Sequence, residues 1–109
     1  MIFKLKEEVP EVHPNFKGGE GDFIAKIHFD EQNKIIHGTL PPGSTIGEHT
    51  HEGDSEIIYI LSGRGSVLDD GKLLPLEAGD CHYCPEGHSH SLINDSEGDL
   101  VFFAVVPMK

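Results

Sequence analysis

The sequence predicts an all-β domain of short strands, either a sandwich or a barrel. Apolar and polar side chains alternate over short segments such as residues 23–30, as they do in a strand with one buried face. Most of the 13 glycines and 7 prolines fall between such segments, where turns are expected. No segment shows the 3.6-residue apolar period of a helix. Together these observations favour an all-β fold over a mixed one.

Residues typical of turns separate the predicted strands. Pro41, Pro42 and Gly43 end the second strand, and Ser62 and Gly63 end the third. The Asp-Gly pair at positions 70 and 71 predicts a tight hairpin between two further strands. In chain order the predicted strands cover residues 23–30, 35–40, 56–61, 66–68, 73–76, 81–84, 89–93 and 100–106.

A chain of 109 residues accommodates one domain. Residues 1–20 are polar and interrupted by proline and glycine, so we expect an N-terminal arm or an added edge strand there. Residues 21–109 are expected to form the single folded domain.

The charge balance excludes some classes of partner. The chain has 19 acidic and 8 basic side chains and a formal net charge of −11. Such a surface repels polyanions, and no basic stripe offsets it, so we expect neither nucleic acid nor a membrane as a partner. No apolar run has the length of a signal peptide or a membrane span, which makes a cytoplasmic location the default expectation.

Two predicted strands are apolar on both faces. They cover residues 56–61 and 100–106. A strand of this kind must be covered on both sides. Because the chain is short and has few helices, a second copy of itself is the expected cover, and we predict a homodimer.

Three histidines and a glutamate form the candidate metal site. His49 and His51 are two residues apart, so both imidazoles point the same way on a strand. Glu56 opens an apolar strand, where a carboxylate is costly unless it is paired or bound to a metal. His90 follows a Pro-Glu-Gly turn that redirects the chain. Three imidazoles and one carboxylate suit a divalent first-row metal and leave coordination positions for a substrate.

The chain resembles the cupin family over nearly its whole length, because it matches both family motifs at every specified position. The motifs are separated by 15 residues, 64–78, the short gap of small microbial cupins. The positions that fit the first motif are Gly43, His49, His51, Glu56 and Gly63; those that fit the second are Gly79, Pro85, Gly87, His90 and Asn94.

This resemblance implies an antiparallel double-stranded β-helix, the jelly-roll barrel of cupins. It also implies that His49, His51, Glu56 and His90 bind one divalent transition metal ion, which in cupins can be iron, manganese, zinc or nickel. Asn94 belongs to the motif but is expected to form hydrogen bonds in a turn rather than to bind metal.

Three further residues are candidates for acid/base catalysis. His88 is expected at the barrel mouth, Tyr83 is a candidate proton donor, and His37 is a candidate if its side chain faces the cavity, which the sequence leaves undecided. We expect His82 to serve in packing.

The two cysteines, Cys81 and Cys84, form a CxxC pair, but no second pair and no helix pattern accompany it. Their side chains point to opposite faces of an extended segment. We expect both to be structural thiols.

The leading functional hypothesis is a metal-dependent enzyme acting on a small polar or anionic metabolite. Redox-active iron would support O2 activation, whereas a redox-neutral ion would support isomerase, lyase or decarboxylase chemistry. The alternative is a non-catalytic binding or sensing protein in which the metal anchors the ligand. A purely structural metal is less favoured, because structural sites are usually closed by protein ligands.

Overall fold

The computed structural model describes residues 1–109 and confirms the all-β fold. Ten strands and two short 3-10 helices, at Leu5–Glu7 and Phe16–Gly18, make up the regular structure. The strands are β1 (Glu11–Pro14), β2 (Asp22–Phe29), β3 (Asn33–Leu40), β4 (His49–Thr50), β5 (Glu56–Ser62), β6 (Arg64–Asp69), β7 (Lys72–Glu77), β8 (Cys81–Cys84), β9 (Ser89–Ile93) and β10 (Leu100–Pro107).

Two antiparallel sheets face each other. The larger sheet has six strands in the order β1-β2-β3-β10-β5-β8, and the smaller has four in the order β4-β9-β6-β7. Both predicted apolar strands, β5 and β10, lie inside the larger sheet and pair with each other. The chain crosses repeatedly between the sheets, which gives the jelly-roll barrel that the cupin resemblance implies.

The core fills the space between the sheets. The inward residues of β10 alternate strictly with half-buried ones, as the sequence pattern predicts. The rings of Phe23 and Phe102 stack inside the barrel with centroids 5.9 Å apart. Gly38 lies beneath these rings, and a Cβ atom there would be 2.5 Å from Phe102. A side chain at position 38 would therefore displace the aromatic pair.

The first 20 residues contribute both an arm and an edge strand. β1 pairs with β2 at the edge of the larger sheet. Before it, the arm crosses the outer surface of β2, where the Phe3 ring stacks on His28 at 4.0 Å and Glu8 accepts a hydrogen bond from His28 Nε2 at 2.8 Å. The arm covers this side of the sheet and leaves β10, β5 and β8 uncovered.

The two cysteines point to opposite faces of β8. Cys84 is buried and Cys81 is exposed, and both are free thiols. Burial raises the pKa of the Cys84 thiol to about 11, with nearby carboxylates adding to the effect. Cys84 therefore stays protonated at neutral pH.

No helix in the structure has the length and apolarity needed to cross a bilayer.

Candidate metal centre

Four side chains from three parts of the chain meet at one end of the barrel. His49 lies on β4, His51 directly follows it, Glu56 begins β5, and His90 lies on β9. β4 pairs with β9 so that His49 and His90 are direct cross-strand neighbours. A turn containing Gly53, which has a φ of 78°, returns the chain to β5. The structure thus brings together all four residues that the sequence singled out as ligands.

The four candidate ligand atoms all lie within 4.8 Å of one another. His90 Nε2 is 3.0 Å from His51 Nε2, 3.2 Å from His49 Nε2 and 3.0 Å from Glu56 Oε1. His51 Nε2 is 3.1 Å from the same carboxylate oxygen. Two ligands about 2.1 Å from a shared ion, at 90 to 109° to each other, are about 3.0 to 3.4 Å apart. These four distances fit neighbouring ligands of a transition metal ion, whereas His49 Nε2 and Glu56 Oε1 are 4.0 Å apart and would bind it at a wider angle.

Each imidazole is oriented by a hydrogen bond from its far nitrogen. His49 Nδ1 donates to the carbonyl of Gly47 at 2.8 Å, and His51 Nδ1 donates to the Asp54 carboxylate at 2.7 Å. His90 Nδ1 and His82 Nε2 share a hydrogen bond of 2.9 Å, in which His90 is the donor when its Nε2 is free to bind a metal. The bonds of His49 and His51 select, and that of His90 permits, the tautomer in which Nε2 presents a lone pair to the shared point. Three such lone pairs and a carboxylate oxygen need a proton or a metal ion between them.

His82 has a positioning role that the sequence did not reveal. It was expected to serve in packing, but it is a buried hydrogen-bond acceptor behind His90. Burial and the neighbouring His90 lower the pKa of His82, so its ring is neutral and can accept this bond. The only sequence signal for this placement is that His82 lies two residues before Cys84, which also points inward.

The site holds Glu56 in its ionised form. Burial alone would raise the pKa of Glu56, but contacts with His49, His51 and His90 outweigh it and lower that pKa well below its usual range. The contact with Glu56 raises the pKa of His51 despite burial, and Asp54 adds to this effect. An ionised carboxylate among imidazoles is a donor set that fits Fe, Mn, Zn or Ni in the divalent state.

A cavity of about 500 Å³ opens in front of His49, His51 and Glu56. It leaves room for a small ligand beside a bound ion. Its walls are formed by apolar residues, by polar residues and by three of the four candidate ligands. The apolar residues are Phe16, Ile27, Phe29, Ile36 and Val106, the polar ones are Lys17, Lys34, Thr50, Glu52 and Asp54, and the ligands are His49, His51 and Glu56.

None of the three candidate acid/base residues lines this cavity. His88 is exposed and forms an ion pair with Asp70 outside the barrel. Tyr83 is 56% exposed and lies on the outer face of β8. His37 lies on the outer face of β3, since its neighbours Ile36 and Gly38 point inward. The structure therefore does not support the acid/base roles assigned to these residues from the sequence.

Replacing His82 is expected to weaken metal binding without removing a ligand. In His82→Leu, His90 Nδ1 loses its acceptor and the ring loses its fixed orientation. We expect the dissociation constant for Mn²⁺ to rise by about 10- to 100-fold, as is typical when a residue that hydrogen-bonds to a metal ligand is replaced. Isothermal titration calorimetry measures this change, and His82→Gln, which keeps an acceptor, should recover part of the affinity. Unchanged affinity in His82→Leu would show that packing is the whole role of this residue.

Fold and site together define a class: β-barrel proteins that carry three histidines and a glutamate as a candidate metal centre at one end. Residues 36–106 match the sequence profile described as the cupin domain. The chain belongs to the cupin family, as the motifs predicted.

Three similar proteins are informative. An oxalate-binding protein of Thermotoga maritima is 38% identical over an alignment that covers 97% of this chain and 93% of that protein. The crystal structure of a predicted oxalate decarboxylase of Thermotoga maritima superposes with a TM-score of 0.94 at 36% identity, covering 100% of both chains. A quercetin 2,3-dioxygenase of Bacillus subtilis is 28% identical over 84% of this chain but only 30% of its own length.

Proposed function

We propose that this cupin binds one divalent transition metal ion through His49, His51, Glu56 and His90, and that the metal anchors a small carboxylate such as oxalate. The observation that carries this proposal is the convergence of four donor atoms within 4.8 Å at the bottom of an open cavity. A divalent ion with one carboxylate ligand has a net charge of about +1, which attracts an anion. The names of the two Thermotoga maritima relatives support oxalate as the first ligand to test.

The proposal is tested by titrating oxalate into the protein in two states. Protein loaded with Mn²⁺ should bind one oxalate per chain, because the ion offers open positions and a positive charge. Protein stripped with EDTA and dialysed should bind at least about 100-fold more weakly, since nothing then offsets the carboxylate of Glu56. Isothermal titration calorimetry measures both affinities. Equal affinity in the two states would contradict a metal-anchored ligand.

A metal-dependent enzyme is the second candidate function. The relatives named as a predicted decarboxylase and a dioxygenase support it. Within the cavity, Glu52 is the carboxylate that contacts neither a histidine nor a lysine, so it is the available acid/base group. Oxalate decarboxylation would consume one proton and release formate and CO2, whereas a dioxygenase would consume O2. Assays of formate and of O2 uptake separate these two reactions from binding alone.

We further propose that the chain forms a homodimer through the outer face of β5, β8 and β10. This surface, here called the outer apolar face, has Ile57 40% exposed, Tyr59 45% exposed and Leu61 45% exposed on β5. Phe103 on β10 lies beside Tyr59 in the sheet. The arm packs on β2, which β3 separates from these strands, and a contiguous apolar surface of this kind is typical of an interface. A two-fold pair would cover the same face on both copies.

A further inference from the structure

A lysine side chain points into the mouth of the barrel. Lys34 is the second residue of β3, and it shares the inner face of that strand with Ile36 and Leu40, which are buried. It lines the same cavity as His49, His51 and Glu56.

Strand register places Lys34 level with Glu56, a candidate metal ligand, on the far side of β10. Lys34 pairs with Val106 of β10. On the other side of β10, Val105 pairs with Ile57, which puts Glu56 next to Val106. Two strand spacings, about 10 Å, therefore separate the backbones of Lys34 and Glu56 across the inner face. The four-carbon stem of lysine can extend its ammonium group across part of this gap toward the cavity in front of the metal centre.

The Lys34 ammonium has no carboxylate partner of its own. Among the lysines and the arginine, only Lys109 makes an ion pair, with Glu86 on the surface. Two of the carboxylates that line the cavity are already engaged, since Asp54 accepts a hydrogen bond from His51 and Glu56 contacts the imidazoles. Lys34 thus brings an unpaired positive charge to an apolar wall that includes Ile36 and Val106, both of which are buried. In such surroundings a charge interacts more strongly with an incoming anion than it would in water.

We infer that Lys34 recognises a second anionic group of the ligand, so that the cavity selects small dicarboxylates over monocarboxylates. The inference rests on the proposed function, in which one carboxylate of the ligand is anchored at the metal centre. The other carboxylate then faces the cavity mouth, where the ammonium of Lys34 can donate a charge-assisted hydrogen bond to it. A monocarboxylate has no group to offer at this position.

Lys17 lines the same cavity but differs in its setting. It lies in the short 3-10 helix Phe16–Gly18 and is exposed, and its Nζ is 5.8 Å from the centroid of the Phe16 ring. An ammonium in contact with solvent contributes little to anion binding because water screens it. Lys17 is therefore a useful comparison, since it tests whether the inner-face position matters or merely the positive charge near the cavity.

The test compares oxalate and acetate binding to Mn²⁺-loaded protein by isothermal titration calorimetry. In Lys34→Met, oxalate affinity is expected to fall by about 10- to 100-fold, the usual cost of losing a hydrogen bond to a charged group. Acetate affinity and Mn²⁺ affinity should each change by less than about twofold, because neither involves the second anionic group. Lys34→Arg, which keeps the charge, should retain most of the oxalate affinity.

Two control variants make the result specific. Lys72→Met removes the same charge from the exposed hairpin between β6 and β7 and should leave oxalate affinity unchanged. Lys17→Met should have a smaller effect than Lys34→Met. An oxalate affinity of Lys34→Met within twofold of the wild-type affinity would overturn the inference while leaving the proposed function in place. A larger loss of oxalate affinity in Lys17→Met than in Lys34→Met would have the same consequence. A loaded wild-type protein that binds neither anion would refute the proposed function, and the inference with it.

Discussion

Replacing His51 with alanine is expected to abolish tight metal binding while the barrel stays folded. His51 is buried and contacts His90 and Glu56 through Nε2, so its loss removes one of four candidate ligands and opens the site to water. The dissociation constant for Mn²⁺ should rise by more than about 100-fold. That is the largest rise expected for replacing a residue that only hydrogen-bonds to a candidate ligand, such as His82. Inductively coupled plasma mass spectrometry of protein purified without chelator, together with calorimetric titration, measures this loss.

The matched control is His88→Ala. His88 stands two residues before His90, as His49 stands two residues before His51, so both pairs have the same spacing. The structure places His88 outside the barrel in an ion pair with Asp70. Its replacement should change Mn²⁺ affinity by less than about twofold, as expected for an exposed pair. Equal losses in the two variants would contradict the assignment of ligands. Circular dichroism establishes folding, and His49→Ala tests the half-buried ligand if His51→Ala does not fold.

Introducing a charge into the outer apolar face is expected to convert a dimer into a monomer. Tyr59 lies within this face, between Ile57 and Leu61 on β5 and beside Phe103 on β10. In Tyr59→Asp, two carboxylates would be buried without partners at a two-fold interface, which costs several kcal/mol for each ion. Sedimentation velocity at micromolar concentration should give a dimer for the wild type and a monomer for the variant.

Leu73→Asp is the control for this result. Leu73 is also an exposed apolar residue, at 58%, but it lies on β7 in the smaller sheet. This variant should sediment as the wild type does. A monomeric wild type would refute the dimer, and a dimer that persists in Tyr59→Asp would place the interface on another surface.

The strands were predictable where one local pattern dominates. Alternation located β2, β3 and β10, because the buried face of a half-buried strand can be read from residues two apart. Two strands were not delimited: β1 was expected only as one of two alternatives for the polar residues 1–20, and β4 has only two residues. A strand this short shows no period, and it exists because β9 provides its hydrogen-bond partners.

The inner face of a strand was harder to predict than the strand itself. Residues 35 and 36 are both isoleucine, so the sequence does not say which side of β3 points inward, and His37 was placed among the cavity candidates. The same ambiguity affects β8, where His82 points inward and Tyr83 points outward. Packing against the other sheet decides the direction in both strands.

By itself, the sequence determined the fold class, the family and the set of four candidate ligands. Each depends on spacing along the chain, since two residues on one strand keep the same direction wherever that strand lies. Only the tertiary structure decided which groups orient those ligands and which side chains share their cavity. The His82 partner of His90 and the placement of Lys34 depend on strand register and on contacts between separate strands. Such contacts form only when the two sheets pack, so no local pattern encodes them.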